Sequence, residues 1–289
     1  MRNLEPFLLS ETCSRSKFCK SLNFREDPMT SQDVVTLEIL DHVATVSINR
    51  PERRNALSIS AANELRDIWE KIDADRSVRA VVLTSAQCGT FCAGMDLKEA
   101  AEVKREQGRD ILDLIHDPFH QRMRRVKVPI IAAMTGHFAA GGFMLMLNSD
   151  IRVGLEGTTG GVTEVKRGRG SPWAVPILWQ LPLPFAMEIL LTGESHPVER
   201  YRDLGFVNYV EPTAQDVMNR AYELARTIAE NAPLSVSAAK ESTLKAMSLG
   251  CEPGLREAER IYEMVYASED AQEGPRAFAE KRAPVWQGR

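Results

Sequence analysis

Residues 129–155 read PIIAAMTGHFAAGGFMLMLNSDIRVGL. An apolar run opens behind Pro129 and stops at Thr135-Gly136, a second begins at Gly141-Gly142, and a third runs from Ile151 to Leu155. The first and third are short and almost free of polar residues, the composition of strands covered on both faces. The middle run opens on two glycines and reads as a buried helix. Strand, helix and strand in that order mark a parallel α/β core. Working upstream, Arg79-Ala-Val-Val-Leu-Thr is another buried strand, and Leu65, Ile68, Trp69 and Ile72 recur at helical spacing, giving an amphipathic helix over 60–75. Two alternating runs from Val34 to Ile48, separated by Asp41-His42, predict a hairpin that Pro51 ends. The charged stretch from Leu97 to about Val126 reads as one long helix. Downstream of Pro182, helices are expected at 184–191, 214–231, 234–249 and 255–267, with Pro233 and Gly254 as punctuation.

The 289 residues are 44% hydrophobic and 26% charged, ordinary proportions for a globular chain with a full core. The net charge of -4 provides no basic field for nucleic acid or an anionic membrane, and no apolar run approaches a membrane span. Five cysteines, at 13, 19, 88, 92 and 251, form no metal-ligand pattern and suit a reducing, cytoplasmic setting. Residues 1–28 mix Arg, Lys, Ser and Cys without periodicity and precede a second methionine, Met29, so they are expected to be a disordered or non-native tail, their acidic residues speaking against a transit peptide. A core over 29–215 and a helical region over 216–289 then account for the rest.

Two segments are built for close backbone approach. Thr90-Phe-Cys-Ala-Gly-Met-Asp-Leu lies between a strand and a helix, and Gly94 there exposes the N–H of Met95. Ala139-Ala-Gly-Gly-Phe-Met opens the buried helix at Gly141, where N–H groups have no partner within the helix. Taken singly, each is also what a plain loop or close helix–sheet packing looks like. No Ser/His/Asp order and no metal spacing points to a hydrolase or a metalloenzyme.

Five stretches in order carry a family resemblance: Asn49-Arg-Pro-Glu-Arg-Arg-Asn-Ala-Leu, Phe91-Cys-Ala-Gly-Met-Asp-Leu, Gly136-His-Phe-Ala-Ala-Gly-Gly with Asp150 beyond it, Val162-Thr-Glu-Val-Lys-Arg-Gly, and Ala277-Phe-Ala-Glu-Lys-Arg. Over most of 34–289 the chain resembles the enoyl-CoA hydratase/isomerase (crotonase) family. The resemblance implies an α/β spiral of ββα units, a helical C-terminal trimerisation region, and homotrimers or dimers of trimers. It implies an acyl-CoA substrate, with coenzyme A present only as part of the thioester and no permanently bound cofactor or metal. By position, the Met95 and Gly141 N–H groups become an oxyanion hole for the enolate formed when a proton α to the thioester moves, or when water adds at the β carbon. Two fixed donors in a dry site suit that charge.

Glu164 occupies the position of a catalytic glutamate. Three residues after Gly141, where hydratases of the family carry their other glutamate, stands Met144, whose thioether takes no proton from water. A single carboxylate suffices to carry a proton from the α to the γ carbon, and some single-glutamate members hydrate aryl-conjugated substrates. Asp96 and Glu156 are candidate substitutes for the absent acid, though each reads more naturally as structural. His137, beside the oxyanion segment, is a candidate pocket residue, and His120 is weighed with it. For the coenzyme, the resemblance points to Arg53, Arg54 and Lys98 near the phosphates, Ala93 along the pantetheine or adenine, and Tyr262 and Lys281 reaching a neighbouring subunit's coenzyme. In Lys166-Arg-Gly-Arg-Gly-Ser-Pro-Trp-Ala the chain departs from the family's apolar, glycine-rich run. Arg167, Arg169 and Trp173 thus suggest a pocket with a polar or aromatic end. Two other readings use the same features: C–C cleavage or decarboxylation through the same enolate, and a non-catalytic acyl-CoA-binding protein.

Overall fold

The structure, a computed structural model, describes residues 33–289; the expected tail over 1–28 lies outside them. Strands β1 (Val35–Leu40) and β2 (Val43–Ile48) pair antiparallel from Val35 opposite Ile48 to Leu40 opposite Val43. Asp41 and His42 join them with φ of 47° and 66°, the left-handed pair that matches the twist of a two-residue hairpin. After α1 (Ile59–Ala74), capped by the Ser58 side chain, come β3 (Ala80–Ser85), β4 (Thr90–Cys92), α2 (Leu97–Gln107) and α3 (Gln121–Arg124). Then follow β5 (Ile130–Met134), β6 (His137–Ala139), α4 (Gly141–Leu147), β7 (Ile151–Leu155) and β8 (Thr159–Gly161). The chain continues through α5 (Leu183–Thr192), β9 (His196–Pro197), α6 (Val198–Asp203) and β10 (Tyr209–Glu211), and closes with α7 (Ala214–Ala229), α8 (Pro233–Leu249), α9 (Cys251–Tyr266) and α10 (Asp270–Ala279).

Six strands form one sheet in the order β1-β2-β3-β5-β7-β10, parallel from β2 onward. Every residue of β3 and β5 is buried, which is why those runs read as apolar without alternation. The alternation exists in space. Ala80, Val82, Ile131 and Ala133 face α7, which meets them through Val217, Ala221, Ala225 and Ala229, one residue per turn. Val81, Leu83, Ile130 and Ala132 face the main core with Trp69, Phe91, Phe138, Phe143 and Tyr201. Thus α7, which a boundary at 215/216 assigns to the C-terminal region, forms the second layer on the sheet. A smaller sheet, β4-β6-β8-β9, stacks beside the first and carries the site.

The expected helix over 97–126 does not form as one element. It stops at Gln107 because Gly108 takes a left-handed φ of 68° and caps it, and Asp110 then caps a separate 3₁₀ turn, Ile111–Leu114. Gly254 is likewise not a break. It lies inside α9, where an added Cβ would sit 3.0 Å from that of Ala246, so it is the contact that lets α8 and α9 pack closely. Strands β4, β6 and β8, and helices α6 and α10, appear where no element was expected. Among the described residues no helix is long and apolar enough to cross a membrane.

Candidate active site

The first wall of the site is the turn after β4. Gly94 adopts a φ of 95°, which an L side chain rarely tolerates. A one-residue parallel bridge follows: Leu57 N–H donates to the Gly94 carbonyl at 2.7 Å, and Asp96 N–H donates to the Leu57 carbonyl at 2.9 Å. The intervening Met95 N–H therefore points away from this ladder. Asp96 is fully committed. Its carboxylate accepts from the Lys98 and Glu99 N–H groups at the start of α2 and pairs with Arg50 at 3.0 Å. Burial pushes the Asp96 carboxyl up, but the Arg50 and Glu99 hydrogen bonds and the Arg50 and Arg53 charges outweigh it and hold it below its usual range. That makes it a strut rather than an acid.

The second wall is the turn between β6 and α4. Ala140 is held at φ 50°, ψ -114°, a strained conformation for a residue with a Cβ, and its N–H donates to the Gly161 carbonyl at 2.9 Å. The Gly141 N–H comes next, in the first turn of a helix whose seven residues are all buried. The two walls touch backbone to backbone. A Cβ on Gly94 would lie 2.7 Å from that of Ala140, and one on Gly142 would lie 2.2 Å from the Cys92 carbonyl oxygen. Glycine is required there by contact, and the contact fixes the spacing of the Met95 and Gly141 donors.

Below these donors is a cavity of about 520 Å³, lined among others by Leu57, Ala93, Met95, Gly141, Met144, Glu164 and Trp173. Glu164 opens a 3₁₀ turn, Glu164–Arg167, directly after β8, whose pairing with β6 sets Ala139 opposite Gly161. Burial raises its carboxyl above the ordinary range, and hydrogen bonds from its own backbone, Trp173 and Thr163 offset this only in part. The Oε2 atom is buried with no hydrogen-bond partner. Met144, one turn into α4, is 5% exposed and lines the same space.

Of the residues expected in the pocket, His137 is absent from its lining. It starts β6 with its imidazole outward, 3.1 Å from the Thr159 hydroxyl and accepting from the Thr159 N–H at 3.0 Å. The histidine in the wall is His120, 2% exposed and held at φ 50°, with its pKa lowered to about 4 chiefly by burial. Glu156 lies in an exposed turn. Arg53, Arg54 and Lys98 are outside the cavity lining, but the Arg54 carbonyl accepts from the Ala93 N–H at 3.2 Å, tying that basic turn to the cavity wall. Tyr262 on α9 packs in a small cluster with Leu234 and Ala238, and Lys281 follows α10; neither lines the cavity. Lys166, Arg167 and Arg169 do line it, as do Leu112, Ile115 and Phe119 from the irregular stretch after α2. In sequence that stretch reads as the continuation of the helix begun at Leu97, so nothing there points these side chains at the cavity. Among the described residues no three His, Cys, Asp or Glu side chains are grouped to hold a metal ion.

The enoyl-CoA hydratase/isomerase family profile matches residues 38–289. The chain is 36% identical over 256 residues to enoyl-CoA hydratase EchA19 of Mycobacterium tuberculosis, covering 86% of this chain and 94% of that one. It is 35% identical over 266 residues to (E)-benzylidenesuccinyl-CoA hydratase of Thauera aromatica, covering 88% and 99%. A crystal structure of enoyl-CoA hydratase from Bacillus anthracis superposes with a TM-score of 0.83 at 31% identity, covering 89% and 100%. The chain belongs to the enoyl-CoA hydratase/isomerase family and is an acyl-CoA enzyme with the family's α/β fold.

Proposed function

We propose that the chain moves protons on an enoyl-CoA thioester, with the carbonyl oxygen held by the Met95 and Gly141 N–H groups and Glu164 as the proton carrier. One observation carries this reading: a carboxylate oxygen, Glu164 Oε2, is buried without a partner in the cavity that both donors line. A buried acceptor left unsatisfied is costly, and a substrate C–H proton is what it is placed to receive. Glu164 takes the α proton of a 3-enoyl ester, the negative charge spreads to the thioester oxygen, and the proton returns at the γ carbon to give the 2-enoyl isomer. Atoms balance with one carboxylate. Met144, where a second acid would stand, has no proton to lend.

The coenzyme runs past Ala93, with Arg53, Arg54 and Lys98 near its phosphates, while Met144 and Trp173 shape the acyl pocket. Tyr262 and Lys281 serve a neighbouring subunit's coenzyme in a trimer or a pair of trimers, and the enzyme works in the cytoplasm. Hydration is the second reading, favoured by the names of the Mycobacterium and Thauera relatives. There the imidazole of His120, kept neutral by burial in the same wall, would help to hold the water.

Incubation of 3-enoyl- and 2-enoyl-CoA esters in deuterated water, read by mass spectrometry, separates the two. Isomerisation moves the double bond without adding water, and Glu164→Gln should slow it by about 10²–10⁴-fold. Near-normal turnover by Glu164→Gln refutes the assignment of the carrier. Brisk water addition to the 2-enoyl ester by the wild type refutes the inference from Met144.

A further inference from the structure

Three cations, Lys166, Arg167 and Arg169, stand in the cavity wall immediately after Glu164. Two are spoken for. Lys166 Nζ pairs with Glu194 at 2.6 Å, and the Arg169 guanidinium forks onto both oxygens of Asp110 at 2.5 and 2.9 Å. Among the described residues, the Arg167 guanidinium has neither an ion pair nor a hydrogen-bond acceptor. Nor does it serve as counter-ion to Glu164, three residues earlier, whose Oε2 has no partner at all. Arg167 is itself exposed, and much of the rest of the cavity lining is apolar, with Leu57, Leu112, Ile115 and Met144.

We infer that the acyl group of the natural substrate carries a second, free carboxylate, and that Arg167 receives it. This rests on the reading that the thioester sits at Met95 and Gly141. The guanidinium is suited to a carboxylate, which it can hold through two parallel N–H bonds. The coenzyme's phosphates are the other source of an anion. They are assigned to the turn at Arg53 and Arg54, which is tied to Ala93, whereas Arg167 shares its segment with Glu164 and Trp173, the groups that face the reacting carbons.

The test compares hexanoyl-CoA with adipoyl-CoA, equal in chain length and different only in the terminal methyl or carboxylate. Both are saturated, so binding is read without turnover, by calorimetry on the full-length wild-type chain. Adipoyl-CoA should bind about tenfold tighter or better, the gain expected of one charge-assisted contact. Arg167→Gln should reduce that preference to about twofold or less, and Arg167→Lys should keep part of it. Equal affinity for the two esters in the wild type overturns the inference and leaves the proposed function standing. An equal loss for both esters and for free coenzyme A in Arg167→Gln assigns the cation to the coenzyme instead. If neither ester binds the wild type, the proposed function itself fails.

Discussion

The separation of the two N–H donors is set by a glycine contact, so adding one methyl group should alter it by a calculable amount. In Gly142→Ala the new Cβ would sit 2.2 Å from the Cys92 carbonyl oxygen and 3.1 Å from the Cys92 Cβ. Carbon and oxygen tolerate approach to about 3.3 Å, so α4 must withdraw from β4 by roughly 1 Å. Cys92 belongs to the strand that leads to Met95, and Gly141 moves with α4, so the withdrawal appears directly in the donor spacing. A misplacement of that size can cost about 10²-fold in rate, or about 2.7 kcal/mol of barrier. Overpacking a close-packed contact costs about 1–3 kcal/mol of stability as well. Steady-state kinetics on an enoyl-CoA ester should show kcat falling about a hundredfold with KM changed far less, alongside a lower melting temperature. Gly141→Ala should be milder, because its Cβ comes no closer than 3.1 Å to the Leu57 side chain and 3.2 Å to the Gly94 Cα, against 2.2 Å at Gly142. If Gly142→Ala keeps wild-type kcat and melting temperature, the contact does not govern the donors and the reasoning fails.

Other consequences are equally direct. The Glu164 carboxyl is raised above 4.5 by burial, so its contribution to stability is full below that value and is lost as pH rises through the folded pKa. Urea titrations should therefore find Glu164→Gln gaining on the wild type as pH rises from about 4 to 8, and a constant difference would argue against the buried, unpartnered carboxylate. Asp96→Asn breaks a pair whose side chains are 13% and 6% exposed and should cost about 3 kcal/mol; a loss under about 0.5 kcal/mol would show the pair to be incidental. Gly274, inside α10 with Trp286 no closer than 3.4 Å to an added Cβ, should accept alanine with a gain of about 0.5–1 kcal/mol, and a destabilised variant would contradict that. Val175, Trp179, Leu183, Met187 and Leu191 are exposed along one stretch, so light scattering at micromolar concentration should find a trimer or hexamer that Trp179→Glu weakens. A wild-type monomer would refute this assembly.

The long parallel strands were legible because burial on both faces leaves an unbroken apolar run, as at Ala80–Ser85 and Ile130–Met134. Strands β4, β6 and β8 were not, since three residues are too few to show a period, and two of the three residues of β8 are glycine. The polar face of α2 continues in composition past Gly108, which is why the stretch to Val126 read as one helix. In the site, Met95, Gly141, Met144, Glu164 and Trp173, singled out through the resemblance of their segments, lie around one cavity. The histidines were not legible. His137 starts an interior strand of the smaller sheet with its ring turned to Thr159, whereas His120, at a left-handed backbone position, lies in the wall, and neither placement is encoded in residue type.

The contact between Gly94 and Ala140 joins positions far apart in the chain, and the Glu164 turn depends on a further pairing, β6 with β8. Such a site has no local precursor. Loops must close over long spans before either donor acquires its place, a slow and entropically costly event during folding. Recovery of catalysis after dilution from denaturant should accordingly trail the return of helical signal and coincide with the final burial of Trp69.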